Sequence, residues 1–263
     1  MTPVEVVEGD SPVILGLPHT GTWLPDDIAA RLNERGHGLT DTDWHIHRLY
    51  DGLLPGATIV RATFHRYVVD ANRGPDNASL YPGQNTTGLV PLTDFDGRPI
   101  WMQEPTSQDI ADRTARFHTP YHAALSAQID RVRTRHGVAI LYDCHSIRSH
   151  IPFLFDGTLP DFNIGTANGT TCDARIQAAV ESLCRATRRR MAVNTRFKGG
   201  WTTRHYGRPL DGVHAIQMEL AQSTHLTTES PPFDLDDAKA ATLRPVLADI
   251  LRTLADLAPE IRG

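Results

Sequence analysis

Short, nearly continuous apolar runs along the chain are separated by longer stretches in which apolar residues recur every three or four positions. Residues 13–17, 57–62 and 138–142 are runs of the first kind, each bounded by glycine, proline or polar residues. Their length and lack of alternation predict strands covered on both faces. Residues 213–220 have the same length with less clean alternation and predict a fourth strand. The second kind predicts helices. One spans 26–35, between Pro25 and Gly36, with Ile28, Ala29 and Leu32 on one stripe; another spans 42–53 and carries Trp44, Leu49 and Leu53. Residues 106–136 repeat Ile110, Phe117, Tyr121, Leu125, Ile129 and Val132 at helical spacing, and Pro120 predicts a kink there or two consecutive helices. Further helices are expected over 173–186 and 234–257, the last kinked at Pro245. Strands alternating with helices imply an α/β fold with a mixed, mainly parallel sheet and helices on both faces. No repeat, low-complexity tract or linker divides the sequence, so residues 1–263 read as one domain. The Gly-, Pro-, Asn- and Thr-rich stretch 73–105 predicts a long loop, of the kind that is often functional.

Composition narrows the function classes. The 263 residues are 40% hydrophobic and 22% charged, ordinary for a soluble enzyme-sized domain. A formal net charge of −5 argues against general affinity for nucleic acid or anionic membrane. No apolar run approaches the ~20 residues that cross a bilayer, and the opening Met1-Thr2-Pro3-Val4-Glu5 has neither the basic start nor the apolar stretch of a secretory signal. Cys144, Cys172 and Cys184 are odd in number and form no C-x-x-C pair, which points to reduced thiols and a cytoplasmic location. The 13 histidines turn attention to metal binding and proton transfer.

In an open α/β sheet, ligands gather at the carboxyl ends of strands. Pro18-His19-Thr20-Gly21 follows the first predicted strand and Asp143-Cys144-His145-Ser146 follows the third. Two histidines at separate strand ends, joined by a carboxylate, supply the three protein ligands of an open zinc site. Asp41-Thr42-Asp43 offers that carboxylate; Asp41 is also a sound N-cap for the helix expected there, which leaves Asp43 as the ligand. His45 and His47 read as surface residues of that helix, and His136, before Gly137, as a helix C-terminal residue favoured by the dipole. Arg66, Asn72 and Arg73, beside the Gly/Pro loop, suit an anionic substrate, since the guanidinium fork matches a carboxylate and stabilises an oxyanion. Glu219 interrupts an apolar strand, where it either pairs with a buried cation or serves as a general base. The segment 198–207 is a glycine-flanked loop rich in donors, and the arginines at 185–190 read as a solvated helix end. Ser146 lacks the G-x-S-x-G elbow of a serine hydrolase.

As an ordered set, PHTGTWLP (18–25), DTDWHIHRLYD (41–51), RYVVDANRGPDNASLYP (66–82), DCHS (143–146) and FKGGWTTRHYG (197–207) resemble the N-formylglutamate amidohydrolase family over almost the entire chain. That resemblance implies hydrolysis of N-formyl-L-glutamate to formate and L-glutamate, the last step of one route of histidine breakdown. The family is similar to zinc carboxypeptidases and aspartoacylase-type deacylases, which implies a zinc-carboxypeptidase-like domain holding one Zn2+ ion. On these positions the implied roles are metal ligation by His19, an aspartate of 41–43 (Asp43 preferred) and His145, oxyanion stabilisation by Arg66, carboxylate binding by Asn72 and Arg73, and base catalysis by Glu219. The wider group's H-x-x-E motif would put glutamate at position 22, where Thr22 stands, so the sequence departs from that group at the second ligand. The implied partner is a small-molecule dicarboxylate; Arg204, assisted by Tyr206, is expected to bind its second carboxylate. The same apparatus would also serve another N-acyl amino acid or a peptide, or, without turnover, a carboxylate-binding module.

Overall fold

In the computed structural model, which describes residues 1–79 and 83–261, the four apolar runs become inner strands of a seven-stranded sheet. The strands are β1 (Val4–Val7), β2 (Val13–Leu17), β3 (Thr58–Ala62), β4 (Ala139–Ile147), β5 (Phe162–Gly165), β6 (Met191–Val193) and β7 (Val213–Ala221). Their order is β1-β3-β2-β4-β7-β5-β6. β1 runs antiparallel to β3 and β5 to β7, while the β3–β2, β2–β4, β4–β7 and β5–β6 pairs are parallel. The helices are α1 (Asp26–Ala29), α2 (Glu34–His37), α3 (Ile46–Tyr50), α4 (Ser107–Arg113), α5 (Thr119–His136), α6 (Ala174–Ala186), α7 (Trp201–Tyr206) and α8 (Asp237–Leu257). The mixed, mainly parallel sheet with helices on both faces is the expected one.

Alternation along the inner strands builds two apolar layers. Val13, Leu15 and Leu17 of β2, Tyr142 and Cys144 of β4 and Ile216 and Met218 of β7 pack with residues of α3, α6 and α8. On the opposite face Ile14, Ala139, Leu141, Val213 and Ala215 pack with Tyr121, Leu125 and Ile129 of α5 and with residues 67–71. Each fully buried Leu or Ile is worth about 1.5–3 kcal/mol over its exposed state. This second face is apolar only at its amino end. Continuing by twos, β4 next presents Asp143 and His145, and β7 presents Gln217 and Glu219. The period that makes the core thus delivers a polar cluster at the strands' carboxyl ends.

Several elements depart from expectation. The helix expected over 26–35 is broken into α1 and α2, because the Asn33 side chain accepts the Gly36 N–H and restarts the helix there. The helix expected over 42–53 is formed only at α3, and Asp41 caps nothing. Its carboxylate instead accepts from the Tyr67 hydroxyl at 2.8 Å and the Phe95 N–H at 2.9 Å. His45 precedes α3 in the left-handed region (φ 60°), which breaks the helical path between Asp43 and Ile46. In 106–136, a wide π-helical turn at Thr114–His118 joins α4 to α5 and places Pro120 in the first turn of α5, where a missing N–H matters least. Pro245 stays inside α8. The three cysteines are buried and unpaired. Among the described residues, no helix is long and apolar enough to cross a membrane.

Candidate metal centre and substrate cleft

His19 follows β2 at its carboxyl end, and its backbone carbonyl accepts the Asp43 N–H at 3.0 Å, tying the turn before α3 to the strand end. His145 and Glu219 are register partners on β4 and β7, so their side chains stand side by side. These three segments bring the ligand atoms of His19, Asp43 and His145 within 4.8 Å of one another, all buried. Asp43 Oδ2 lies 3.2 Å from His145 Nδ1 and 3.8 Å from His19 Nδ1, and it also accepts the Ser146 N–H at 3.0 Å.

The far side of each ring meets a carboxylate. His19 Nε2–H donates to Asp70 Oδ1 at 2.7 Å, which leaves Nδ1 as the lone-pair nitrogen. His145 Nε2 lies 3.0 Å from Asp143 Oδ1 and 3.2 Å from Asn72 Nδ2. Histidines that ligate metals characteristically carry a carboxylate on their other nitrogen. His19 Nδ1 and Asp43 Oδ1 are buried without a hydrogen-bond partner, and orphaned acceptors of this kind are rare in protein interiors. Two imidazoles and one carboxylate, with acceptor atoms left over at their point of approach, fit a divalent transition metal with one position open.

Electrostatics agree with a cation there. Burial disfavours charge on the Asp43 and Asp70 carboxyls, yet both are held below the usual range, Asp43 chiefly by the His145 and His19 rings and Asp70 chiefly by the Arg66 guanidinium. Burial also disfavours a charged His145, but Asp143, Asp43 and Glu219 outweigh it and draw its pKa well above normal. His19 moves the other way, lowered by burial and by Arg66. Glu219 is raised, first by burial and then by Asp43 and Asp143 against the pull of His145 and Arg66. The cluster is thus rich in buried carboxylates, and a proton on His145 stands where a metal cation would balance them.

Above this floor lies a cleft open to solvent. His19, Arg66, Asn72, Arg73, His145 and Glu219, all singled out in the sequence, line it together, with Asp43 beneath in the ligand cluster. Arg66 is buried, donates to Asp70 Oδ2 at 2.7 Å and lies over the Phe95 ring at 4.7 Å. Asn72 Oδ1 accepts the Thr202 N–H at 2.9 Å, and Glu219 Oε2 accepts from Gln217 Nε2 at 3.0 Å. The predicted long loop supplies Asn85, Thr86, Thr87 and Phe95.

Arg204 and Tyr206 are not among the lining residues. Their segment is the short helix α7 rather than a loop, and only its leading Gly200 reaches the cleft. The Tyr206 hydroxyl donates to the His122 carbonyl at 3.2 Å, and Arg204 Nε donates to the Gly199 carbonyl at 2.9 Å. Arg196, overlooked in the sequence, lines the cleft instead. Asp70 and Asp143 were overlooked as well. Asp143 was readable in principle, since it precedes His145 by two on one strand and shares its face. Asp70 and Arg196 lie in irregular segments with no such period. The last three residues of the 66–82 motif, Leu80, Tyr81 and Pro82, lie outside the described residues.

Comparison with known proteins matches this architecture to a family. The sequence profile of N-formylglutamate amidohydrolase matches residues 11–226. The N-formylglutamate deformylase of Pseudomonas aeruginosa is 45% identical over 250 residues, covering 92% of this chain and 94% of the relative. That of Pseudomonas putida is 43% identical over 251 residues, covering 94% and 93%. The fold is similar to the crystal structure of N-formylglutamate amidohydrolase from Ralstonia eutropha, with a TM-score of 0.85 over 99% of both chains at 24% identity. A gene product of Agrobacterium tumefaciens has a TM-score of 0.75 at 17% identity, over 98% of this chain and 96% of that one. On the extent of the profile match and the identity to both deformylases, the chain belongs to the N-formylglutamate amidohydrolase family and is an enzyme that hydrolyses an amide.

Proposed function

We propose that this enzyme hydrolyses N-formyl-L-glutamate to formate and L-glutamate with one zinc ion held by His19, Asp43 and His145. The observation that carries the reading is the approach of those three ligand atoms within 4.8 Å at the floor of a cleft that Glu219 and Arg66 also line. A divalent ion in that position supplies Lewis acidity and makes water a competent nucleophile near neutral pH. Asp70 and Asp143 orient the two imidazoles.

The protein's own groups do the rest. Glu219, its proton affinity raised by burial, takes the proton of the attacking water and passes it to the departing amine nitrogen of glutamate. Arg66, fixed by Asp70, donates to the oxyanion that develops on the formyl oxygen, a contribution of about 3 kcal/mol for a preorganised donor. Asn72 and Arg73 hold one substrate carboxylate. Arg196 meets the other, in the role first given to Arg204, because it is the cation of that loop region that lines the cleft. The buried, unpaired thiols support a reducing, cytoplasmic setting, and the products fit the end of a histidine-degrading route.

The test is formate release from N-formyl-L-glutamate by purified enzyme, before and after chelation and after zinc is restored. Activity that is lost and recovered in step with zinc supports the reading. Full turnover in metal-free protein, or no formate from the zinc-loaded enzyme, overturns it.

A further inference from the structure

Asn72 is gripped from several sides, and the most distinctive grip comes from the end of the π-helical turn and the start of α5. His122 Nε2–H donates to the Ala71 carbonyl at 2.8 Å, and His118 Nε2–H donates to the Arg73 carbonyl at 2.9 Å. Two imidazoles one helical turn apart therefore hold the carbonyls of the two residues that flank Asn72. The π-helical turn ends at His118, and by widening the path into α5 it sets where both rings fall along the helix. The His122 tautomer follows from its surroundings. With Nε2 donating to Ala71, Nδ1 is left as an acceptor 3.1 Å from the Tyr206 hydroxyl, whose single proton lies between it and the His122 carbonyl.

The same two rings connect to α7. The Trp201 indole contacts His122 with ring centroids 4.8 Å apart and His118 at 5.8 Å, and stacks on His205 at 4.2 Å. Next to Trp201, the Thr202 N–H donates to Asn72 Oδ1, which also settles which side-chain atom of Asn72 is oxygen. Asn72 Nδ2 then points toward His145. A Cβ added at Gly200 would come within 2.2 Å of Asn72 Nδ2, so the Asn72 amide packs into space that only a glycine at position 200 leaves open.

We propose that His122, seconded by His118, is a positioning residue that sets the placement of Asn72 and through it the capture of substrate. The inference rests on the proposed function in one respect, that Asn72 contacts a substrate carboxylate. Neither histidine lines the cleft, so neither touches substrate. A purely structural role would lower stability alone. A positioning role changes KM through a residue the imidazole does not replace.

The experiment is a double-mutant cycle on the zinc-loaded full chain, read as kcat and KM for N-formyl-L-glutamate with thermal melting alongside. His122→Leu removes the donor to Ala71. His122→Gln restores an N–H near the Nε2 position. The expected result is a drop in kcat/KM of roughly 10- to 100-fold for His122→Leu, the scale of loss from a displacement on the order of 1 Å, carried mainly by KM. His122→Gln is expected to recover most of it. Asn72→Ala combined with His122→Leu is expected to be no worse than Asn72→Ala alone, because the second change acts only through the first. Additive losses, or a folded His122→Leu variant with wild-type KM, overturn the positioning role and leave the proposed function standing. Wild-type kinetics in Asn72→Ala overturn the carboxylate contact itself and the positioning role with it.

Discussion

Asp70 offers a perturbation whose consequences are worked directly from the geometry. Its two carboxyl oxygens divide their duties: Oδ1 accepts from His19 Nε2 and from the Asn72 N–H, and Oδ2 accepts from Arg66, the shortest contacts being 2.7 Å. Asp70→Asn keeps the shape and the acceptor for His19 but deletes the charge and puts an amide N–H against the guanidinium. Loss of an orienting partner beyond the metal ligands weakens metal affinity by about 10- to 100-fold, or about 1.4–2.7 kcal/mol. Arg66 is buried and retains only Asp43, at 3.8 Å, as a close carboxylate of the cluster. Breaking a buried pair in this way costs about 3–5 kcal/mol, and the remaining Asp43 contact argues for the lower end. Competition with a calibrated chelator measures the first quantity and urea unfolding of the apo and zinc forms the second. The expected variant binds zinc at least tenfold more weakly and unfolds at lower urea. Zinc affinity within twofold of wild type in a stable Asp70→Asn protein would show that His19 does not use Nδ1 for the metal.

The remaining predictions concern catalysis, selectivity and pH. Glu219→Gln is expected to retain one equivalent of zinc and lose about 100- to 10,000-fold in kcat, the range of a general acid–base contribution; wild-type kcat with full metal would remove Glu219 from the reaction. N-formyl-L-glutamine, lacking one carboxylate, leaves a cleft arginine without its anion and is expected to fall by roughly 10- to 100-fold in kcat/KM. Arg196→Met should erase most of that difference between the two substrates, and equal discrimination in the variant would return the second carboxylate to another cation. Burial holds the His225 ring neutral, lowering its pKa to about 4 against the Trp44 carbonyl that favours its charge. Its contribution to stability is therefore complete above about pH 6.5 and is lost as pH falls toward 4, at about 1.4 kcal/mol per unit. Between pH 7 and pH 5, His225→Gln should lose about 2 kcal/mol less than wild type in urea unfolding, and identical losses would contradict a buried neutral ring.

What the sequence revealed and concealed follows from burial. β2, β4 and β7 announce themselves because inner strands covered on both faces are apolar over long stretches, whereas β3, expected to be covered on both faces, is fully buried only at alternate positions, with Ile59 and Arg61 half-buried. β1 is an exposed edge strand, Val4-Glu5-Val6-Val7, and β6 is a half-buried edge of Met191, Ala192 and Val193, so neither carries such a run. β5, only Phe162-Asn163-Ile164-Gly165, is too short for a period to register. The helix expected over 42–53 loses its first turn to the site, where the Asp43 carboxylate turns to His145 and His45 takes a left-handed backbone. His19, His145 and Glu219 were legible as polar residues at the ends of apolar strands. Asp70 and Arg196 were not, because their importance comes from contacts across the fold: Asp70 reaches His19, and Arg196 donates to the Leu154 carbonyl at the cleft rim. Arg204 and Tyr206 show the converse, donors in a glycine-flanked motif that a short helix turns elsewhere.

X-ray absorption at the zinc edge of the purified enzyme, paired with metal stoichiometry, tests the convergence of His19, Asp43 and His145 most directly. The expected result is one equivalent of zinc per chain surrounded by nitrogen and oxygen at about 2.0–2.2 Å, with two imidazoles in the multiple scattering and one of them lost in His145→Ala. Sulfur at about 2.3 Å, or an unchanged imidazole count in that variant, would place the ion somewhere other than among these three side chains.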